Sequence, residues 1–372
     1  MAAATAVRQC YGLRLASLQW LLRKAPTGRA VLGVEASVSS ACSVPCRTYR
    51  AAVCTELKRP LIIKDVSSMD LKPSQVRVAV QYCGMNFADI LACEGRYQEK
   101  KRPPFTPGLE FSGLVVETGA NVTTLQKGDR VIGIHVMESM AEECVVEEKM
   151  LWKIPEPISY EQAAALPVCY GTAFLALVHR ARVQDGETVL VTGATGALGH
   201  AMVDVASKVL KVKVIAAAGN DKECSWALQR GAQCSVNYGK VSLKEELKKL
   251  TGNQGVDVVI DAIGGDIFKE AFSSLKWEGR IVVVGFAGGN IPSIPANLLL
   301  LRNVSAHGVY WAQNRKHNFP LFSWSISSVL KHCQEGKIQP HIGAMFKLEE
   351  VNKAFELVKQ RSSMGKIILS MK

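Results

Sequence analysis

The sequence has no apolar run approaching the ~20 residues that a helix needs to span a bilayer, so membrane insertion is not expected. It also has no Cys-x-x-Cys pair, although it contains 11 cysteines. Scattered thiols disfavour a disulfide framework. Ser and His occur in no nucleophile-elbow context, which disfavours a hydrolase. What remains is globular composition, with 48% hydrophobic and 21% charged residues, over 372 residues that fit two domains.

Acidic residues are almost absent from the first 47 residues, which hold five arginines and one lysine but one glutamate. This segment is rich in Ala, contains Ser, and has leucines that could line one face of a helix. Such a composition is typical of a mitochondrial transit peptide. We therefore predict a removable leader over residues 1–49 and a mitochondrial location, most naturally the matrix. A disordered basic tail is the alternative.

The charge of the remaining chain is only mildly positive. The leader accounts for +5 of the formal net charge of +12, which leaves +7. Such an excess can steer an anionic cofactor over a long range. A specific nucleic-acid surface would need basic residues clustered with aromatic ones, and we find only short clusters such as Lys100–Arg102 and Lys248–Lys249.

Short β-rich runs separated by turns occupy the chain from about residue 50 to residue 155. The clearest runs are Val76–Val80, Gly113–Val116 and Arg130–Gly133. A polar turn, Lys127–Arg130, leads into the last of them, and its glycine gives the backbone the freedom that a tight turn needs. This part is predicted to be a β-rich domain.

From about residue 159, helical segments alternate with short apolar strands. The predicted strands are Thr188–Thr192, Val212–Ala218, Cys234–Tyr238, Val256–Asp261 and Arg280–Gly285. Continuous apolar strands are expected where helices cover both faces of a parallel sheet. The predicted fold class is therefore α/β, with a doubly wound Rossmann-type sheet beside the β-rich domain. Helices at Phe322–Gln334 and Leu348–Gln360 and a strand at Lys366–Leu369 are expected in the tail.

A glycine-rich loop, Gly193 to Gly199, follows the first predicted strand and opens a helix. That context is the one required of a dinucleotide-binding loop. Gly196 would let the backbone approach a pyrophosphate, and Gly199 would allow close contact between helix and strand. A tight turn between packed elements is the alternative, but the flanking βαβ pattern favours a cofactor loop. The predicted cofactor contacts are Gly193, Ala194, Gly196, Ala197, Leu198 and Gly199.

The end of the second predicted strand bears on the choice of cofactor. NAD sites usually place Asp or Glu at this tip, about 20 residues past the loop, to bind the ribose 2′-hydroxyl. Here the strand ends at Ala218, Gly219 and Asn220, with no carboxylate. Lys222 could pair with a 2′-phosphate, although Asp221 lies beside it. We therefore predict NADPH rather than NADH, with Gly219 and Lys222 in the site.

Seven short motifs, including the glycine-rich loop, occur along the chain in an order that a known family shares. They are Cys83–Asp89, Pro107–Gly113, Ala165–Pro167, Gly193–Gly199, Gly255–Val259, Gly285–Ala287 and Asn297–Leu301. Together they resemble the zinc-free quinone oxidoreductase, or zeta-crystallin-like, branch of the medium-chain dehydrogenase/reductase family, over about residues 50–372. The resemblance implies a GroES-like substrate domain from residues 50–172 and 310–372 and a Rossmann domain from residues 173–309. It also implies a homodimer, joined through the exposed edge of the Rossmann sheet.

Zinc-bearing members of this family surround an open metal position with a Cys, the His of a Gly-His-Glu motif and a further Cys or acid. The matching positions here hold Asn86, Leu109 and, near the third, Cys169, and a four-Cys lobe for structural zinc is missing. A tetrahedral N/S site cannot be assembled from one thiol. We therefore expect no zinc, and we interpret Cys169 as a core or pocket thiol.

Without a Lewis acid, nothing obvious would stabilise the alkoxide of an alcohol oxidation. Reduction of a quinone or an α,β-unsaturated carbonyl is easier, because the cofactor supplies the hydride and the protein only positions the substrate and donates a hydrogen bond. By resemblance, Asn86 and Tyr97 serve catalysis, and Tyr97 could donate a proton. A turn residue and an ordinary half-buried tyrosine are the alternatives for these two. The resemblance also assigns cofactor contacts to Thr172, Tyr238, Gly285 and Phe286.

The predicted function is thus NADPH-dependent, metal-free reduction of a small-molecule quinone or enone. A mitochondrial enoyl-thioester reductase is the nearer alternative, favoured by Tyr97 and by the leader. An NADPH-sensing nucleic-acid-binding or structural protein with little catalysis is an alternative of another class, which the residual positive charge permits.

Overall fold

The structure is a computed structural model that describes residues 47–361 and 363–372. The predicted leader lies almost wholly outside the described residues, so the leader and the mitochondrial location stay predictions. Among the described residues, every helix falls short of the length and apolar character that crossing a bilayer would take.

The strands are β1 (Thr48–Val53), β2 (Ile62–Ser67), β3 (Gln75–Gly84), β4 (Glu110–Thr118), β5 (Arg130–Ile134), β6 (Glu143–Glu147), β7 (Leu151–Lys153), β8 (Thr188–Thr192), β9 (Lys213–Ala218), β10 (Cys234–Asn237), β11 (Val256–Asp261), β12 (Leu275–Val283), β13 (Ser305–Gly308), β14 (Ile342–Lys347) and β15 (Lys366–Ser370). The helices are α1 (Phe87–Cys93), α2 (Tyr160–Ala164), α3 (Pro167–Phe174), α4 (Ala197–Asp204), α5 (Asp221–Gln229), α6 (Leu243–Leu250), α7 (Gly265–Ser273), α8 (Ala296–Arg302), α9 (Asn314–His317), α10 (Phe319–Gln334) and α11 (Val351–Gln360). π-Helical turns extend α3 through Leu175–Arg180 and α4 through Val205–Val209.

Six of these strands form a parallel sheet in the order β10-β9-β8-β11-β12-β13. This order is that of a doubly wound dinucleotide-binding fold. Both faces of the sheet are buried: Val189 and Val191 of β8 pack into one hydrophobic cluster, and Leu190 between them packs into another. That is why these strands are continuously apolar in sequence, and β8 and β11 have the bounds that the sequence predicted.

The remaining strands form the β-rich part. β1 and β2 pair with each other, and a mostly antiparallel sheet runs in the order β14-β15-β3-β4-β5-β7, with β6 also paired to β3. β15, from the end of the chain, lies antiparallel to β3 and places Ile368 opposite Gly84. The tail thus returns to the β-rich sheet, and the predicted α/β fold class is confirmed. The domain bounds at residues 172 and 309 stay a prediction.

The return of the tail also buries a polar cluster against α4. His200 is 2% exposed, its ring centroid lies 4.9 Å from that of Trp226, and its Nε2 lies 3.4 Å from the carbonyl oxygen of Gln339. Burial lowers the pKa of His200 to about 4. Asp204, with a carboxylate oxygen 4.0 Å from Nε2, opposes this effect, whereas the charges of Arg230 and Lys208 add to it. His200 is therefore neutral in the folded protein at pH 7.

The buried histidine predicts a pH-dependent stability. In the unfolded chain His200 takes up a proton near its ordinary pKa of 6.5, but the folded protein binds it only near pH 4, so stability falls as the pH drops through this interval. We expect His200 to cost about 2 kcal/mol of unfolding free energy between pH 7 and pH 5. In urea unfolding, the change in unfolding free energy between pH 7 and pH 5 should differ by this amount between the wild type and His200→Gln, whereas the control His317→Gln, which changes an exposed histidine, should behave as the wild type does. Comparing proteins removes the contributions of other titrating groups such as Asp89. The same change in all three proteins would contradict the assignment.

Candidate functional site

The glycine-rich loop has the geometry that its sequence predicts. Gly193 has a φ of 60°, a conformation that favours glycine. A Cβ on Gly199 would lie 2.1 Å from the carbonyl oxygen of Gly193, so only glycine fits there. A Cβ on Gly196 would meet nothing closer than 3.7 Å, which leaves open space above the loop. Gly196 is also the N-cap of α4 and brings no side chain to its first N–H groups, which can therefore bind an anion.

Two of the predicted cofactor contacts, Gly219 and Tyr238, lie together at the ends of β9 and β10. A Cβ on Gly219 would lie 3.8 Å from the hydroxyl of Tyr238. Burial raises the pKa of Tyr238, and the positive charge of Arg361 opposes that rise. Asp221 pairs with Lys240, and this pairing compensates the negative charge that counted against binding of a 2′-phosphate. The sequence analysis did not find Arg361 or Lys240, because each comes from a different loop than the strand tip.

The end of β9 differs in one respect from the prediction that no carboxylate lies there. The carboxylate of Glu223 accepts a hydrogen bond of 3.0 Å from the backbone N–H of Gly219. A negative charge therefore does lie at the tip, although no acidic residue occupies it in sequence. The residue comes from the first turn of α5, which folds back over the strand end.

The other predicted cofactor contacts lie at the same, carboxyl edge of the parallel sheet. Gly285 and Phe286 follow β12, and the next residue, Ala287, donates a backbone hydrogen bond to Ala262 after β11. Phe286 is 40% exposed, so its ring is free to contact a ligand. Thr172 is buried in α3, where its hydroxyl donates to the carbonyl of Val168, 2.6 Å away. The assignment of these residues to the cofactor stays a prediction.

Tyr97 contacts a second tyrosine. The hydroxyl of Tyr310 donates a hydrogen bond of 3.2 Å to that of Tyr97, which leaves the proton of Tyr97 available to another acceptor. Two further contacts hold the loop of Tyr97, since Gln313 and Arg315 both bind Glu99, at 2.6 and 2.9 Å. Burial, followed by the contact with Tyr310, raises the pKa of Tyr97 well above its usual range. No local pattern in the sequence could have revealed Tyr310, which lies 213 residues away.

Asn86 lies in a buried polar network. Its Oδ1 accepts a hydrogen bond of 2.7 Å from Nζ of Lys366, and its Nδ2 donates one of 2.8 Å to Glu110. The amide is thus held at both ends and its orientation is fixed. The network makes Asn86 well placed to position its neighbours, and its predicted part in catalysis stays a prediction.

Lys366 is the centre of this network. Its side chain is 3% exposed, and its ammonium lies 2.5 Å from a carboxylate oxygen of Glu110 and 3.6 Å from the sulfur of Cys169. Burial by itself would lower the pKa of Lys366, but Cys169 and Glu110 more than offset it and hold the pKa above its usual range. The other oxygen of Glu110 accepts from the N–H of Val168 at 2.7 Å. The lysine is therefore charged, and its charge is compensated within the network.

A second buried carboxylate lies beside this network. Asp89 is fully buried and accepts hydrogen bonds from the N–H groups of Asn86 and Gly108, at 2.8 and 3.1 Å. Burial raises its pKa to about 7, and these hydrogen bonds and Lys366 limit the rise. Asp89 thereby fixes the turn that carries Asn86, in keeping with a scaffold role.

These side chains do not fit a zinc ion. Of the three positions that match zinc ligands in relatives, Asn86 and Cys169 both contact the ammonium of Lys366, and the third is Leu109. An amide, a leucine and one thiol around a cation are not a donor set for zinc. In the part of the chain that the structure describes, no group of three or more His, Cys, Asp or Glu side chains could hold a metal ion.

The segment before β15 joins the two halves of the site. The N–H of Gly365 donates a hydrogen bond of 2.9 Å to the carbonyl of Thr195, within the glycine-rich loop. The next residue is Lys366, in the network with Asn86. Two consecutive residues thus connect the loop predicted to hold a cofactor with the residues predicted to act on a substrate.

Comparisons with known proteins agree with this geometry. Residues 72–156 match the family model for the alcohol dehydrogenase GroES-like domain, and residues 197–327 match that for zinc-binding dehydrogenase. The chain is 62% identical to quinone oxidoreductase-like protein 2 of Bos taurus, over 88% of this chain and 93% of that protein. It is 48% identical to the homolog of that protein in Nematostella vectensis, over 88% and 90%. The quinone oxidoreductase of Thermus thermophilus, solved alone and in complex with NADPH, superposes with a TM-score of 0.76 at 30% identity, over 87% of this chain and all of that one.

Proposed function

Because the chain belongs to the quinone oxidoreductase branch of the medium-chain dehydrogenase/reductase family, and is thus an oxidoreductase, we propose that it reduces a quinone or an α,β-unsaturated carbonyl with NADPH and without a metal ion. When bound, NADPH supplies a hydride with its electron pair and becomes NADP⁺. The protein supplies the proton that completes the hydroquinone or the saturated carbonyl. The reaction is then balanced without any further reductant.

The observation that carries this proposal is the buried ammonium of Lys366 among Asn86, Glu110 and Cys169. Two unit charges 4 Å apart repel by about 4 kcal/mol at an effective dielectric constant of about 20, so this ammonium opposes a cation beside it and already holds the carboxylate of Glu110 that such a cation would need. The ammonium of Lys366 already supplies the positive charge that a metal ion would bring. A site of this kind supports hydride transfer to an activated acceptor better than oxidation of an alcohol.

The proposal of NADPH draws on the loop and on the charges around Gly219. Gly196 leaves room for a pyrophosphate, and the uncapped start of α4 offers N–H groups to it. Arg361 supplies positive charge near Tyr238, and Lys222 supplies it from the first turn of α5, next to the strand end where a 2′-phosphate would lie. The NADPH complex of the Thermus thermophilus relative supports the same choice.

For the proton, we assign Tyr97 as donor and Tyr310 as the residue that restores it. Tyr310 donates to Tyr97, so the two hydroxyls form a chain that points from the exposed Tyr310 toward the half-buried phenol of Tyr97. Proton transfer from Tyr97 to substrate leaves a phenolate, which takes a proton back from the exposed Tyr310. An enoyl thioester reductase remains the second candidate, because protonation next to a thioester carbonyl needs the same donor.

We also propose a homodimer and a location in the mitochondrial matrix. β13 is the edge strand of the parallel sheet, and its unpaired side is open to a second copy. The exposed apolar side chains of this half of the fold include Leu300 at 79%, Leu301 at 67% and Trp277 at 65% exposure. Exposed apolar groups of this size favour burial against a partner. The location is supported by the composition of the leader alone.

An acceptor screen with the full-length protein tests the function. NADPH oxidation, followed by absorbance, should depend on a quinone or enone acceptor and should consume one NADPH per acceptor reduced. Simple alcohols should give no reduction of NADP⁺, because the ammonium of Lys366 is already paired with Glu110 and no metal ion is expected to polarise the hydroxyl. Enoyl thioesters in the same screen show whether the protein is instead an enoyl-thioester reductase. Tight NADPH binding without turnover of any acceptor, or turnover of alcohols, would contradict the proposal.

The tyrosine pair predicts a graded loss of activity. Tyr97→Phe should lower kcat for an enone by about 100-fold, since a positioned general acid contributes roughly 10²–10⁴. Tyr310→Phe should lower kcat less and should shift the pH profile, because it acts through Tyr97. Tyr160→Phe, which removes the hydroxyl from a ring beneath Arg130, is the control and should leave kcat unchanged. Full activity of Tyr97→Phe over the whole pH range would exclude Tyr97 as the donor.

A further inference from the structure

Glu223 occupies the place where dinucleotide sites distinguish their two cofactors. A carboxylate at the end of the second strand normally accepts the ribose 2′-hydroxyl of NADH and repels the 2′-phosphate of NADPH. Here Oε2 of Glu223 lies 3.0 Å from the N–H of Gly219, the residue that directly follows β9. The carboxylate is therefore at the strand end, although the residue belongs to α5.

The first turn of α5 explains how the carboxylate of Glu223 reaches the end of β9. Asn220 is the N-cap of α5, and its side chain accepts from the N–H of Glu223 at 2.9 Å. The third helical residue after a cap points back toward the cap, and Oε1 of Glu223 accepts from Nδ2 of Asn220 at 3.0 Å. Both oxygens are thereby held over the end of β9.

The charge of this carboxylate is not cancelled by an ion pair. Across residues 47–361 and 363–372, no salt bridge of 4 Å or less joins Glu223 to a cation, whereas the neighbouring Asp221 is paired with Lys240. A Cβ on Gly219 would lie 3.7 Å from Oε2 of Glu223 and 3.8 Å from the hydroxyl of Tyr238. The carboxylate and the phenol thus flank the same small space above the strand end.

We propose that Glu223 is the residue that sets the balance between NADH and NADPH, and that the protein accepts both. With NADH the carboxylate accepts the 2′-hydroxyl. With NADPH it faces a phosphate of charge about −1.5 to −2 and repels it, while Lys222 in the first turn of α5 and Arg361 near Tyr238 attract it. The inference rests on the proposed dinucleotide site but not on the acceptor that is reduced.

The test uses two fragments that differ only in the 2′-phosphate, AMP and adenosine 2′,5′-bisphosphate, titrated into the full-length protein by calorimetry. Glu223→Gln keeps the size of the side chain and an oxygen for the N–H of Gly219 but removes the charge. The variant should bind the bisphosphate about tenfold more tightly, because a repulsion is lost. It should bind AMP a few-fold more weakly, because a charged acceptor is lost. Opposite shifts cannot arise from general damage to the fold, which would weaken both.

The chain contains a matched control. Glu245 stands at the same position of α6 as Glu223 in α5, with its N–H bound to the side chain of the N-cap Ser242. Glu245→Gln removes one charge from an equivalent helix start away from the loop and should change neither affinity. Equal affinities of wild type and Glu223→Gln for both fragments would overturn the proposal, as would parallel weakening of both. A protein that binds both fragments but reduces no acceptor would contradict the proposed function and leave this inference standing.

Discussion

The buried ion pair between Lys366 and Glu110 is the interaction on which the rest of the site depends. An isolated charge in a protein interior is costly, so each partner requires the other. The pair forms only when β15 has returned to β3, because that pairing brings Lys366 to Asn86 across 280 residues of chain. Completion of the β-rich sheet and assembly of the site are therefore a single event.

The same segment explains why the two halves of the site belong together. Gly365 binds the glycine-rich loop and Lys366 binds the network around Asn86. The loop itself tolerates no side chain at Gly199, where a Cβ would lie 2.1 Å from a carbonyl oxygen. A backbone of such close tolerances, tied to a buried charge, fixes the glycine-rich loop against the network around Asn86.

Sequence reasoning predicted the structural elements that local residue patterns determine. β8 and β11 were predicted with their observed bounds because strands buried on both faces are apolar throughout. β14 was missed, because its residues alternate between half-buried and exposed and it lies at a sheet edge. Lys366 was read only as the start of an apolar strand. Its partners, like the partner of Tyr97, are set by sheet register and chain return, which periodicity does not contain.

We propose that the ammonium of Lys366 stands where metal-bearing relatives hold zinc. Crystals of the full-length protein exposed to zinc, with diffraction collected on both sides of the zinc absorption edge, test it most directly. We expect no anomalous peak between Asn86 and Cys169, with Nζ of Lys366 still in contact with both. A zinc peak bound to the sulfur of Cys169, with Lys366 displaced, would contradict it.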